Sequence, residues 1–123
     1  MDISNKILSD ITVFMKYAKH KDKEDRRETW NELVGRNKKM HQKKYTMLNG
    51  EIDEAYELVK TKKVLPSMRS MQFAGKPIEI SPNRIYNCGY IPVDDWRAFG
   101  EILFLLLGGT GIGFSVQKYH VEK

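Results

Sequence analysis

Cysteine is nearly missing from this sequence: among 123 residues there is one, Cys88. A lone thiol excludes an internal disulfide, so any dithiol chemistry needs a second sulfur from another chain. Long apolar runs are missing as well. The longest, residues 102–107, is far too short to cross a hydrocarbon layer of about 30 Å. The opening residues are mixed and polar, without the apolar stretch of a secretory signal. One cysteine and no leader lead to the expectation of a reducing cytoplasm and no membrane partner. The three histidines are scattered and no second cysteine stands at ligand spacing, so no metal site is expected.

What is present suits a globular chain of one-domain length, 41% hydrophobic and 30% charged. The net charge of +5 is concentrated. Residues 16–44 hold eleven Lys and Arg against five Asp and Glu. Such a segment can meet phosphate, on a nucleic acid or a nucleotide; the plainer reading is a solvated helical face.

The apolar spacing predicts three helices first. Over residues 3–19, Ile7, Ile11, Phe14 and Tyr17 fit a helix that Ser4 would cap, although Ile11, Val13, Met15 and Tyr17 also alternate as in a strand. Over 23–40, Trp30, Leu33, Val34, Asn37 and Met40 share one face. A turn at Asn49-Gly50 precedes a helix from Glu51 to about Lys62, with Ile52, Ala55, Tyr56 and Val59 buried. Character changes at Leu65-Pro66, and 65–82 reads as irregular chain with short extended or helical pieces. A strand is expected over 84–91, with Cys88 in phase with Arg84, Tyr86 and Tyr90. Asp94 or Asp95 would cap a helix whose face carries Trp96, Phe99, Leu103 and Leu106. Gly108-Gly109 ends it, and a strand resumes over 113–116. Strand, helix, strand is the order of a parallel α/β unit. Residues 117–123 give no closing element, as in a chain stopped partway through an α/β domain.

The glycine run Gly108-Gly109-Thr110-Gly111-Ile112-Gly113 is not a phosphate loop of a known pattern. It lacks a closing Gly-Lys-Ser/Thr, and counted from Gly109 its sixth position is Phe114, where a dinucleotide or kinase loop has glycine. Four glycines in six residues point to close approach of a ligand or of another backbone, with turn chemistry as the alternative. Cys88 is read either as a small buried hydrophobe or as a reactive thiol. Asn87 beside it can bind a ribose or base. Ser67, Arg69 and Ser70 can hold a phosphate, or form an ordinary surface loop.

Taken together, these residues have a likeness. The stretch Leu65-Pro66-Ser67-Met68-Arg69-Ser70-Met71-Gln72-Phe73-Ala74-Gly75, then Asn87-Cys88, then Gly108 to Val116, resembles the catalytic subunit of ribonucleotide reductase in its adenosylcobalamin-dependent, class II form. Tyr17, Arg26-Arg27-Glu28-Thr29-Trp30 and Asn37 are similar to that family's helical N-terminal region. The likeness runs over nearly the whole chain but only the N-terminal part of a family member several hundred residues long.

The resemblance implies an α/β fold: residues 1–64 a helical N-terminal region, and 65–123 the first strand, helix and strand of an incomplete catalytic barrel. It implies that Cys88 is one half of the redox-active cysteine pair that reduces the ribose. It implies that Ser70 contacts the substrate phosphate, Asn87 the nucleoside, and the backbone of Gly111 the substrate, with Gly109, Thr110 and Gly113 completing that loop. The second redox cysteine, the thiyl-radical cysteine, the cobalamin-binding region and the C-terminal cysteines have no counterpart here. The implied partners are the remaining C-terminal part of the reductase, a ribonucleoside di- or triphosphate, and a dithiol reductant such as thioredoxin. No direct nucleic-acid partner is expected, and the chain is expected to be inactive alone. Two other readings stand beside this one: a small basic nucleic-acid-binding protein using residues 16–44 with Trp30 and Tyr45, and a non-catalytic interaction module that docks through its apolar helix.

Overall fold

The computed structural model describes residues 3–122. Contacts divide the chain into two compact units, Met1–Gly75 and Lys76–Lys123. The composition change at Leu65-Pro66 falls inside the first unit.

In the first unit, α1 (Ile3–Lys16) is followed by a small antiparallel pair, β1 (His20–Lys21) and β2 (Arg26–Arg27). Then come α2 (Trp30–Lys44), a 3-10 turn at Thr46–Leu48, α3 (Asn49–Lys60) and α4 (Met68–Phe73). The first segment is thus a helix, with Ser4 inside it rather than capping it. The second helix starts later than its apolar spacing predicts, for a local reason. Thr29 accepts the Glu32 N–H on its side chain, and the Glu32 carboxylate accepts the Thr29 N–H at 2.8 Å. This reciprocal cap fixes the first turn at Trp30. Residues 20–27 are left to the hairpin, whose tip places Asp25 at φ 45°. The Thr-x-x-Glu spacing was readable in the sequence. Asn49-Gly50 is not a turn, because the 3-10 turn runs directly into α3 and includes both residues in its first helical turn.

The core of this unit is Leu33, Val34, Tyr56, Val59 and Met71, with Val13, Tyr17, Trp30 and Ile52 packed against it. Ala55, expected in that stripe, is exposed. Burying each large apolar side chain contributes about 1.5–3 kcal/mol. Arg36 holds Glu28 at 2.8 Å, in a pair where both side chains are largely buried, and donates to the Ala74 carbonyl at 2.9 Å. Lys19 donates to the same carbonyl. Burial, and then the Arg36 charge, lower the Lys19 pKa.

The second unit is a mixed α/β arrangement: α5 (Lys76–Ile80), a 3-10 turn at Pro82–Ile85, β3 (Cys88–Pro92), α6 (Ala98–Leu107), β4 (Gly111–Ser115) and α7 (Lys118–Val121). β3 and β4 pair in parallel across the α6 connection, as the strand, helix, strand order predicts. No closed barrel is present among the described residues. The strand begins at Cys88 and not at 84. Pro82 starts a tight turn in which the Arg84 and Tyr86 N–H groups bond to the carbonyls of Ser81 and Asn83. Arg84 and Tyr86 therefore do not share a strand face with Cys88. Beyond β4, Lys118–Val121 form the short helix α7, where no closing element is expected from the sequence.

Asp95 does not cap α6 directly. Its carboxylate accepts the Arg97 N–H at 2.9 Å and grips that guanidinium, which orders the turn before the helix. The expected face is also corrected. Ala98 and Ile102 are buried, while Trp96 lies ahead of the helix and Phe99, Leu103 and Leu106 are exposed. A helix apolar nearly all round carries no periodic signal to select its packed side; contact with β3 and β4 selects it. No helix among the described residues is long and apolar enough to cross a membrane.

Candidate functional site

The parallel register sets Cys88 opposite Gly111, Gly89 opposite Ile112, Tyr90 opposite Gly113, and Ile91 opposite Phe114. Paired residues in parallel strands point to the same side, and side chains alternate along each strand. Gly89, Ile112 and Thr110 belong to one face. A Cβ at Gly89 would lie 3.0 Å from Ile112 Cδ1 and 3.9 Å from Thr110 Cγ2. Thr110 is buried and Ile112 half-buried, so this face is covered at the start of β4, while Gly89 and Phe114 on it are exposed. Cys88, Tyr90, Gly111 and Gly113 form the open face, and all four are exposed.

Cys88 thus stands at the beginning of β3, against backbone without side chains. A Cβ at Gly111 would lie 4.0 Å from Cys88 Sγ and 3.6 Å from the Asn87 carbonyl oxygen. Gly111 N–H donates to that carbonyl at 2.9 Å, which locks Asn87, Cys88 and Gly111 into one cluster. The buried-hydrophobe reading of Cys88 is excluded by its exposure.

Each glycine of the run has its own physical reason. At Gly108 the Asn83 amide occupies the space of a side chain: a Cβ would fall 1.8 Å from its Nδ2. Gly109 sits at φ 90°, in the region that favours glycine. Gly111 and Gly113 are strand residues, so the strand begins at Gly111 and not at 113. Only these two leave the open face bare. The alternation Gly111-x-Gly113 was a readable sign of this. Thr110 points the other way. It is buried, and its Oγ1 has no hydrogen-bond partner among the described residues.

Ser70 belongs to the first unit, on α4. It is buried, and its hydroxyl donates to Asn37 Oδ1 at 2.8 Å. Asn37, which spacing placed on an apolar helix face, is itself fully buried, and its amide nitrogen lies 3.3 Å from Met71 Sδ. No local pattern marks this pairing. Ser67 accepts the Ser70 N–H and caps α4.

Four cations of the basic segment are held in ion pairs. Lys21 and Arg26 both pair with Glu24 and Glu32, Arg36 pairs with Glu28, and Lys38 pairs with Asp53. Trp30 Nε1 donates to the Lys60 carbonyl at 3.0 Å, with the Lys62 ammonium 5.2 Å from its ring. Among the described residues no cluster of three His, Cys, Asp or Glu side chains is placed to hold a metal ion. Comparison with protein-family models, with curated proteins and with solved structures found no match to this chain.

Proposed function

We propose that this polypeptide supplies the first strand, helix and strand, and one redox thiol, of a ribonucleotide reductase. The observation that carries the reading is the exposed Cys88 thiol beside the bare backbone of Gly111, with Asn87 tied to the same cluster. A sulfur that must touch a sugar needs an open approach and a floor without side chains. In this reading Cys88 and a second cysteine from a companion polypeptide become a disulfide. Their two electrons and two protons replace the ribose hydroxyl by hydrogen and release it as water. A dithiol such as thioredoxin then restores both thiols. One thiol cannot complete this cycle, so the chain is inactive without its companion.

Adenosylcobalamin, which the resemblance implies, would be held by the companion polypeptide. The exposed apolar side of α6, with Phe99, Leu103, Phe104 and Leu107, suits docking of the companion. The same side supports the second reading, a purely docking module.

The test combines the chain with a polypeptide carrying the remaining reductase cysteines, adenosylcobalamin, a dithiol and ribonucleotide, and measures deoxynucleotide. Product that requires this chain is expected, and Cys88→Ser abolishes it. Undiminished product from Cys88→Ser with the dithiol would overturn the redox role.

A further inference from the structure

Two cations of the first unit meet at one carbonyl. The Lys19 ammonium and the Arg36 guanidinium both donate to the Ala74 oxygen, each at 2.9 Å. The acid of this cluster is Glu28, and its oxygens are already taken. Oε1 accepts Arg36 Nε at 2.8 Å, while Oε2 accepts Arg36 Nη2 at 2.9 Å and the backbone N–H of Lys19 at 3.1 Å. Lys21, Lys38, Lys60 and Lys62 each reach a carboxylate. The Lys19 ammonium forms no ion pair among the described residues, and its hydrogen bond goes to a neutral carbonyl. A charge set beside a like charge, partly out of water, favours the neutral amine. Burial, then the Arg36 charge, lower the Lys19 pKa against the opposing charge of Glu28. A lysine desolvated beside another cation is an activated nucleophile. Lys19 is half-buried, so its amine is held in place and still within reach of a small reagent.

We infer that Lys19 is an acylation site, the lysine that the fold prepares to take an acyl group from an acyl phosphate. The uncompensated positive charge of the cluster favours the approach of that anionic donor. The amine nitrogen bonds to the acyl carbon and the bond from that carbon to the phosphate oxygen breaks. Phosphate leaves with the electron pair, and the nitrogen gives one proton to solvent. The product amide keeps one N–H for the Ala74 carbonyl and sets no charge against Arg36. The inference is independent of the reductase reading, which concerns the other unit.

The full chain is treated with acetyl phosphate at mildly alkaline pH, and acetylation of each lysine is followed in time by mass spectrometry. Lys39 and Lys63, both exposed, are the references. Lys19 is expected to react about threefold faster than they do, or more, in the folded chain and no faster in concentrated urea. The pH profile of its labelling should level off below that of Lys39. Arg36→Gln frees Glu28 to pair with the Lys19 ammonium and should erase the lead. Circular dichroism shows whether that variant folds; where it does not, the urea comparison and the pH profile of the unaltered chain decide. Lys19 reacting no faster than the references in the folded chain overturns the inference. A lead that persists in urea also overturns it, because the local sequence and not the fold would then supply it. A lead kept by a folded Arg36→Gln chain overturns the part given to Arg36.

Discussion

Ser70 Oγ donates to Asn37 Oδ1 at 2.8 Å, inside the helical unit and out of contact with water. The bond joins α4 to α2 across 33 residues of sequence. Its loss leaves a buried amide oxygen without that donor, at a cost of about 1–3 kcal/mol. Ser70→Ala should therefore lower the urea midpoint of unfolding clearly, while Ser67→Ala removes only an exposed cap. A Ser70→Ala chain as stable as the original would show that the hydroxyl is available for a ligand, as the phosphate role implied for it requires.

Glu32 sets a dependence on acid. The Arg26 guanidinium, then the Lys21 ammonium and the Thr29 N–H, hold its carboxyl far below the usual carboxylate range. A carboxyl whose folded pKa is depressed stabilises the fold above its unfolded pKa, and that contribution is lost as pH falls below about 4.5. Glu32→Gln should be less stable than the unaltered chain at pH 7. The gap should narrow at pH 3, as read from urea midpoints at both. A constant gap would place the effect in packing and not in charge. Thr29→Ala removes the other half of the cap and should cost about 1 kcal/mol at pH 7.

Gly108 and Asn83 form a steric lock in the second unit. The Asn83 amide, held by the Ser81 hydroxyl, occupies the place of a Gly108 side chain. The backbone there, at φ −73°, suits any residue, so the cost of Gly108→Ala is steric alone. That cost should be about 1–3 kcal/mol, as for other overpacked positions. Asn83→Ala should relieve most of it in the double variant, a coupling measurable by thermal melts of the four chains in the cycle. Additive effects would mean that the amide moves aside freely.

How far the sequence could be read follows from where the information lies. The face of α2 was legible in Leu33 and Val34, because a helix with one apolar stripe announces its buried side. The face of α6 was not, since Phe99, Leu103 and Leu106 compete with Ala98 and Ile102 on equal terms until a sheet is placed beside them. The hairpin of His20–Lys21 and Arg26–Arg27 is too short for any periodic pattern; ion pairs to Glu24 and Glu32 surround it. Cys88 and Gly111 are neighbours because one short helix connects the two parallel strands and their first residues pair. From its neighbours alone Ser70 is a loop hydroxyl, yet it lies in α4. Its partner lies in another helix, and nothing local identifies it.

Gly111→Ala separates folding from function at the open face. A Cβ there would sit 3.6 Å from the Asn87 carbonyl oxygen and 4.0 Å from Cys88 Sγ, ordinary contact distances. The substitution should change stability by no more than about 0.5 kcal/mol, the range of a surface change. The new methyl would nevertheless stand on the floor that the proposed sugar must approach. Nucleotide protection of Cys88 against alkylation should therefore weaken sharply, while the melting temperature holds. In the assembled reductase, deoxynucleotide formation should fall with it. If protection and product both persist in a chain carrying alanine at this position, the bare backbone beside the thiol has no part in holding substrate.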